Sequence, residues 1–132
     1  MNELPEENAA EAQRWREQAQ QELQTARRIA GEPDLPARIA CFLAHLATEK
    51  ALKASLIRHG IEFTRVHDLA DLRALLPAEV VAGVSDDDLA LLNPWAIEGR
   101  YPGDIADATT TQAMACIGAA DRVLAVLVVK SE

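Results

Sequence analysis

Helix-forming segments separated by proline and glycine are the feature that most constrains the fold of this chain. Residues 9–30 are rich in Ala, Gln, Glu and Arg, and the segment ends at the breaker GEPDLP, residues 31–36. A second segment, 37–59, stops at Gly60. A last segment begins near Asp104, although the valines at its end also fit a strand. Strand signals are otherwise scarce, so the pattern predicts an all-α fold.

Two shorter helices are predicted between the second and last long segments. Asp68 and Ser85 are side chains that cap helix N-termini, and each precedes a short run with helical spacing. These runs end before Pro77 and Pro94 respectively. The expected architecture is therefore an up-and-down helical bundle of about three long and two short helices.

The chain has 132 residues, about the size of one domain that can bury a core of its own. We expect a single helical domain over residues 9–132, preceded by a frayed N-terminus at residues 1–8. The formal net charge of −8 disfavours sequence-blind binding to nucleic acid, which depends on Lys and Arg.

The composition and the cysteine spacing also indicate where the protein is located and whether it holds a metal or a cofactor. The acidic N-terminus shows no signal peptide, and the longest apolar run, 123–129, is far shorter than the roughly 20 residues of a membrane span. Cys41 and Cys116 show no metal-ligand spacing, which is typical of reduced, packed thiols. We therefore expect a cytoplasmic protein with no membrane span, no metal and no cofactor.

The second long segment carries charges within its apolar stripe. At 100° per residue, Glu49 and Lys53 fall on the same stripe as four large apolar side chains, which are Ile39, Phe42, Leu46 and Ile57. Two interpretations stay open for this pair. It either covers the edge of the stripe as a surface ion pair, or it is a buried polar group that serves a ligand or a partner subunit.

A flank of the same helix is also apolar, through Leu52 and Leu56. A helix that is apolar on more than one side can contact both its own bundle and a second chain. We therefore predict a homodimer whose interface includes Phe42, Leu46 or Leu56.

The chain resembles the HEPN family (higher eukaryotes and prokaryotes nucleotide-binding), of the type with an RYP motif. The resemblance rests on four features that occur in order: a Trp with spaced alanines in the first segment, then ATEKALKA, HDL and RYPG. The resemblance covers nearly the whole chain. It implies a small α-helical bundle that dimerises and, in many members, stands beside a minimal nucleotidyltransferase in a toxin–antitoxin pair. Other members are metal-independent ribonucleases that use an Arg, four to six intervening residues and a His.

The ribonuclease pattern is incomplete here. Arg100 matches the Arg of the RYP motif, yet no His follows His67 anywhere in the chain. Arg38 and His45 match the spacing formally, but they stand at the start of the second helix, outside the place of the family motif. They are weak catalytic candidates, in which Arg38 would hold a phosphate and His45 would move a proton.

Two further groups of residues are candidates for binding a ligand or partner. His67 and Asp68 either form a turn and a helix cap, or line a pocket with Lys50 or Lys53 where a nucleotide phosphate could bind. Arg100 and Tyr101 lie in the stretch EGRYPGD, which is explained as a turn or as one side of a groove near the dimer interface.

The predicted function is that of a HEPN protein acting as the helical, dimeric partner of a nucleotidyltransferase, with nucleotide binding open and RNA binding uncertain. The alternatives are a metal-independent ribonuclease toxin and a structural interaction module without a ligand.

Overall fold

The computed structural model describes residues 5–96 and 106–131. Its elements are α1 (Pro5–Ala30), α2 (Ala37–Arg58), α3 (Leu69–Ala74), α4 (Asp86–Leu92) and α5 (Thr110–Ser131), with a 3-10 turn at Asn93–Trp95. Within these residues there is no strand. The predicted all-α bundle of three long and two short helices is confirmed.

The core lies where α1, α2 and α5 pack against one another, and small side chains dominate the contact. Alanines of all three helices are buried at 5% exposure or less: Ala12, Ala19, Ala26, Ala40, Ala44, Ala47, Ala51, Ala54, Ala113, Ala119 and Ala120. Small side chains let helix backbones approach closely, so the three long helices form one tight unit. Leucines of α3 and α4 complete the core from one side: Leu69, Leu72, Leu89 and Leu92.

The buried face of α2 differs from the face that the apolar stripe predicts. Its core positions are the alanines together with Cys41, Leu52 and Leu56. The large side chains of the predicted stripe, Ile39, Phe42, Leu46 and Ile57, are only half-buried and are not part of the core cluster. The predicted stripe was defined by the largest apolar side chains of α2. Contact with the neighbouring helices instead favours small residues, because they permit close packing.

Helix ends follow local chemistry. After α2, Gly60 adopts a left-handed φ of 68°, and the N–H groups of Gly60 and Ile61 bond the carbonyls of Ile57 and Leu56. This is the Schellman arrangement that glycine favours. Asp68 caps α3 by accepting the Asp71 N–H at 3.1 Å, and Ser85 caps α4 by accepting the Asp88 N–H at 3.1 Å.

The last helix begins at Thr110, six residues after the predicted start near Asp104, which lies outside the described residues. Thr109 and Gln112 form a reciprocal cap, in which the Gln112 N–H bonds Thr109 Oγ1 at 3.0 Å and the Thr109 N–H bonds Gln112 Oε1 at 2.9 Å. This is the capping box that the sequence TTTQ offers. At the other end of the chain, α1 already begins at Pro5, within the segment expected to fray.

Ion pairs join α4 to α5 and the two short helices to each other. Arg122 of α5 bonds both carboxylate oxygens of Asp88 in α4, the shortest at 2.8 Å, and this guanidinium lowers the pKa of Asp88. Arg73 of α3 pairs with Asp86 and also bonds the Val84 carbonyl at 3.1 Å.

Across residues 5–96 and 106–131, no helix has the length and apolarity that crossing a membrane requires.

Gly83 lies against α5 so closely that even a methyl group would clash. A Cβ at Gly83 would stand 2.9 Å from Cγ2 of Val126. We expect Gly83→Ala to lower the free energy of unfolding by roughly 1–3 kcal/mol, because overpacking forces the helix or the loop to shift. Gly31→Ala is the control, since its nearest neighbours would be carbonyl oxygens at 3.6 and 3.7 Å. Equal urea midpoints for the two variants would contradict this packing.

Candidate functional site

A buried ion pair stands at the centre of α2. Lys53 Nζ donates to Glu49 Oε2 at 2.7 Å, one helical turn away, and Lys53 is only 7% exposed. The pair is therefore buried and is not a surface ion pair at the edge of the stripe. Such a pair adds little stability by itself, because both charges lose their hydration.

The segment after α2 covers this pair. The Schellman turn at Gly60 reverses the chain, and the ring of Phe63 comes to lie 5.6 Å from Lys53 Nζ in a cation–π contact. Phe63 also meets Trp15 of α1 edge to face, with ring centroids 6.4 Å apart. The two aromatic rings hold residues 61–68 against α1 and α2.

His67 completes the cover. Its Nδ1 lies 3.2 Å from Glu49 Oε2 and 3.1 Å from Lys53 Nζ. A neutral ring with a bare Nδ1 accepts from Lys53, whereas a ring protonated at Nδ1 donates to Glu49. Either way the ring is anchored at one nitrogen, while 70% of the side chain is exposed to solvent.

His45 reaches the same carboxylate from within the bundle. Its Nδ1 lies 2.9 Å from the Leu92 carbonyl, which can only accept, so Nδ1 carries a hydrogen. Its Nε2 lies 3.6 Å from Glu49 Oε1. The contact with Leu92 joins α2 to the end of α4. Because His45 is only 3% exposed, its ring does not face solvent.

These contacts keep Glu49 ionised. Burial alone would raise the pKa of Glu49, but the nearby His45 ring, hydrogen bonds from Lys53 and His67, and the charge of Lys53 lower it to about 2. The carboxylate therefore carries its charge throughout the neutral and mildly acidic range.

Other predicted site residues have separate tasks. Lys50 points toward α1, where it bonds Glu22 at 2.9 Å and Gln18 at 3.0 Å, so it does not join Lys53 in a pocket. Asp68 caps α3. The cluster thus unites Glu49, Lys53 and His67 and leaves Lys50 outside it.

Arg38 and His45, the weak catalytic candidates, have different partners in the structure. Arg38 Nη1 bonds the Asp107 carboxylate at 3.4 Å, whereas His45 is buried beside Leu92. Arg100 and Tyr101 lie outside the described residues.

An open hollow of about 600 Å³ borders His67 and Asp68. Arg65 also lines it, and sequence reasoning missed this residue. Arg65 has a left-handed φ of 65°, a conformation that normally favours glycine or asparagine. The nearby sequence HDL pointed to this region, but nothing in the sequence marked Arg65 itself.

The arrangement presents an anchored and exposed imidazole beside a fixed carboxylate. In the described parts of the chain, no group of three or more His, Cys, Asp or Glu side chains is placed to hold a metal ion.

The low pKa of Glu49 makes stability depend on pH. The stabilisation is fully present above the ordinary glutamate pKa of 4.5 and is lost as pH falls through about 2. We expect the unfolding free energy of the wild type to fall by on the order of 2–3 kcal/mol between about pH 5 and 2 from this group. Glu49→Gln should not show this fall in unfolding free energy at low pH. It should also be less stable than the wild type at pH 7, because it leaves Lys53 buried without its counter-charge.

Urea unfolding at a series of pH values measures the effect. Glu17→Gln on the exposed side of α1 is the control and should keep the wild-type profile. Parallel pH profiles for wild type and Glu49→Gln would contradict the assignment of the buried charge.

Comparisons with known proteins agree with the geometry. The family model described as HEPN domain matches residues 12–131. A search of curated proteins finds no match. The crystal structure of TT1696 from Thermus thermophilus is 30% identical, with a TM-score of 0.75 over 90% of this chain and 97% of that chain. The crystal structure of ST0689, described as an archaeal HEPN homologue, is 26% identical, with a TM-score of 0.71 over 92% of this chain and 98% of that chain. The chain belongs to the HEPN domain family.

Proposed function

We propose that this protein is a homodimeric, non-catalytic HEPN partner of a minimal nucleotidyltransferase in a cytoplasmic toxin–antitoxin-like pair. The observation that carries the proposal is the outer face of α2, where large apolar side chains stay outside the core of a single chain. The family resemblance supplies the nucleotidyltransferase as the expected partner.

The α2 outer face is defined here as Ile39, Phe42 and Leu46, all half-buried. The C-terminal continuation of the same stripe is covered by residues 61–68, which pack over Lys53. Leu56 is fully buried and is therefore removed from the predicted interface. Burying the three remaining side chains against a second chain would gain roughly 1 kcal/mol or more each.

We further propose that the dimer binds a nucleotide. Lys50 and Lys53 are both occupied by carboxylates, so neither is free for a phosphate. The groups open to a ligand are Arg65 and the exposed edge of His67, at the hollow beside α3.

Phe42→Glu tests the dimer. We expect the wild type to have a dimer mass by light scattering at tens of micromolar, and Phe42→Glu to shift toward the monomer, because a charge at the centre of the face must lose its hydration. Met114→Glu is the matched control, since Met114 of α5 is a large apolar side chain that is 54% exposed and does not belong to the α2 outer face. A wild type that is monomeric at this concentration, or a control that dissociates equally, would overturn the interface.

Copurification from the native host tests the partner. A tagged wild-type chain should retain a nucleotidyltransferase, and the retention should be judged against tagged Phe42→Glu and Met114→Glu. Loss only with Phe42→Glu would indicate that the partner needs the dimer or the same face. Absence of a nucleotidyltransferase from a folded, dimeric wild type would contradict the partnership while leaving the dimer intact.

We expect no ribonuclease activity from the purified dimer in chelator-containing buffer. His45→Ala should instead lower stability by about 1–3 kcal/mol, because the Leu92 carbonyl loses its buried donor. RNA cleavage that His45→Ala abolishes in a still-folded protein would restore the Arg38/His45 pair. Cleavage lost in Arg100→Ala would point to the RYP motif with another proton-transfer group.

A further inference from the structure

One edge of the His67 ring is anchored and the other is open. Nδ1 lies 3.2 Å from Glu49 Oε2 and 3.1 Å from Lys53 Nζ, whereas 70% of the side chain is exposed. The edge that carries Nε2 is therefore the one that a small molecule in the bordering hollow of about 600 Å³ can reach. An imidazole held at one nitrogen presents the other in a fixed place, as a nucleophile must be presented.

Arg65 brings a positive charge to the same hollow. The Val66 N–H bonds the Phe63 carbonyl at 2.9 Å, and within the turn that this bond closes Arg65 has its left-handed φ of 65°. A side chain other than glycine rarely adopts this conformation, and the surrounding structure must support it. The support here is the Phe63 ring, which packs on Lys53 and Trp15. In the ranges that the structure describes, no carboxylate pairs with Arg65, so its guanidinium is available to an anion.

We propose that His67 is a phosphoryl acceptor, whose Nε2 takes a phosphoryl group from a small phosphoramidate bound in this hollow. The inference concerns the same hollow as the proposed nucleotide site, but it rests neither on nucleotide binding nor on the dimer. Arg65 suits the phosphoryl oxygens, because a guanidinium forms paired hydrogen bonds with phosphate. Asp68 and Asp71 line the same hollow and suit the ammonium end of a phosphoramidate.

Glu49 supports this chemistry from the anchored side of the ring. When Nδ1 donates its hydrogen to Glu49 Oε2, the lone pair of the neutral imidazole is on Nε2, the exposed nitrogen. Phosphorylation at Nε2 leaves the ring with a positive charge, and the ionised carboxylate of Glu49 stabilises that charge. Glu49 is thus a positioning residue that acts through His67, and it does not touch the donor.

The transfer forms one bond and breaks one. The lone pair of Nε2 attacks phosphorus, and the P–N bond of the phosphoramidate breaks. The donor nitrogen, which is protonated as an ammonium group, takes the electron pair of that bond and leaves as ammonia. The hydrogen on Nδ1 stays in place beside Glu49. No group is oxidised or reduced, and no further reactant is consumed.

Labelling of the folded wild type with potassium phosphoramidate at neutral pH tests the proposal, and His59 is the control within the same chain. His59 Nδ1 bonds the Ser55 carbonyl at 2.8 Å, so its Nε2 also carries the lone pair, but its anchor is not a carboxylate. We expect His67 to gain a phosphoryl group at Nε2 about tenfold or more faster than His59, measured by peptide mass mapping and by NMR of the site of attachment. In urea the two rates should become similar. Arg65→Asn should slow the labelling of His67 alone, because Asn tolerates the left-handed turn and removes the charge.

Equal labelling of His67 and His59 in the folded protein would overturn the proposal, since both would then react as ordinary surface imidazoles. Attachment of the phosphoryl group at Nδ1 of His67 would overturn it as well, because that nitrogen would not be the anchored one. A labelling rate that Arg65→Asn leaves unchanged would remove the anion site from the hollow and would also count against it. Nucleotide titration and light scattering of the same samples test the proposed function separately.

Discussion

The close approach of α1, α2 and α5 is the constraint on which the rest of the structure depends. Alanine side chains at the buried positions, such as Ala19, Ala44 and Ala120, allow the helices to pack nearly backbone to backbone. Dispersion contacts of many such atoms stabilise the bundle, because protein interiors are as dense as organic crystals. Of the large side chains of α2, the core holds Leu52 and Leu56, whereas Phe42 and Leu46 remain half-buried on the outer face of the helix.

The charged cluster on α2 follows from the same geometry. Where residues 61–68 fold back on α2, they meet the stripe at Glu49 and Lys53, not at leucines. Burying this pair costs hydration, which the contacts from His45, His67 and the Phe63 ring offset in part. The charged cluster therefore stabilises the fold less than an apolar patch of the same size would. Its main effect is to fix where residues 61–68 pack on α2.

Helix boundaries were largely predictable from sequence, because caps and breakers act within a few residues. Gly60, Asp68 and Ser85 all perform the roles that their types indicate. The start of α5 was predicted near Asp104, whereas the capping box of Thr109 and Gln112 sets it at Thr110. The buried face of α2 was not predictable from apolar size alone, since which face is buried depends on the neighbouring helices. Glu49, Lys53 and His67 were each singled out from the sequence, but their arrangement in one cluster depends on the turn after α2 and on a carbonyl 47 positions away from His45.

The cover that residues 61–68 form over Lys53 has a consequence for motion on slow timescales. When this segment lifts, Lys53 and Glu49 regain water, and the gain in hydration offsets part of the aromatic contact that Phe63 loses with Trp15. Opening here is thus cheaper than separating the alanine-packed helices, which expose only apolar surface. The backbone amides after Gly60 are therefore expected to exchange with solvent as one cooperative unit, before those at the centre of the bundle, and to lose protection when the Glu49 charge is neutralised.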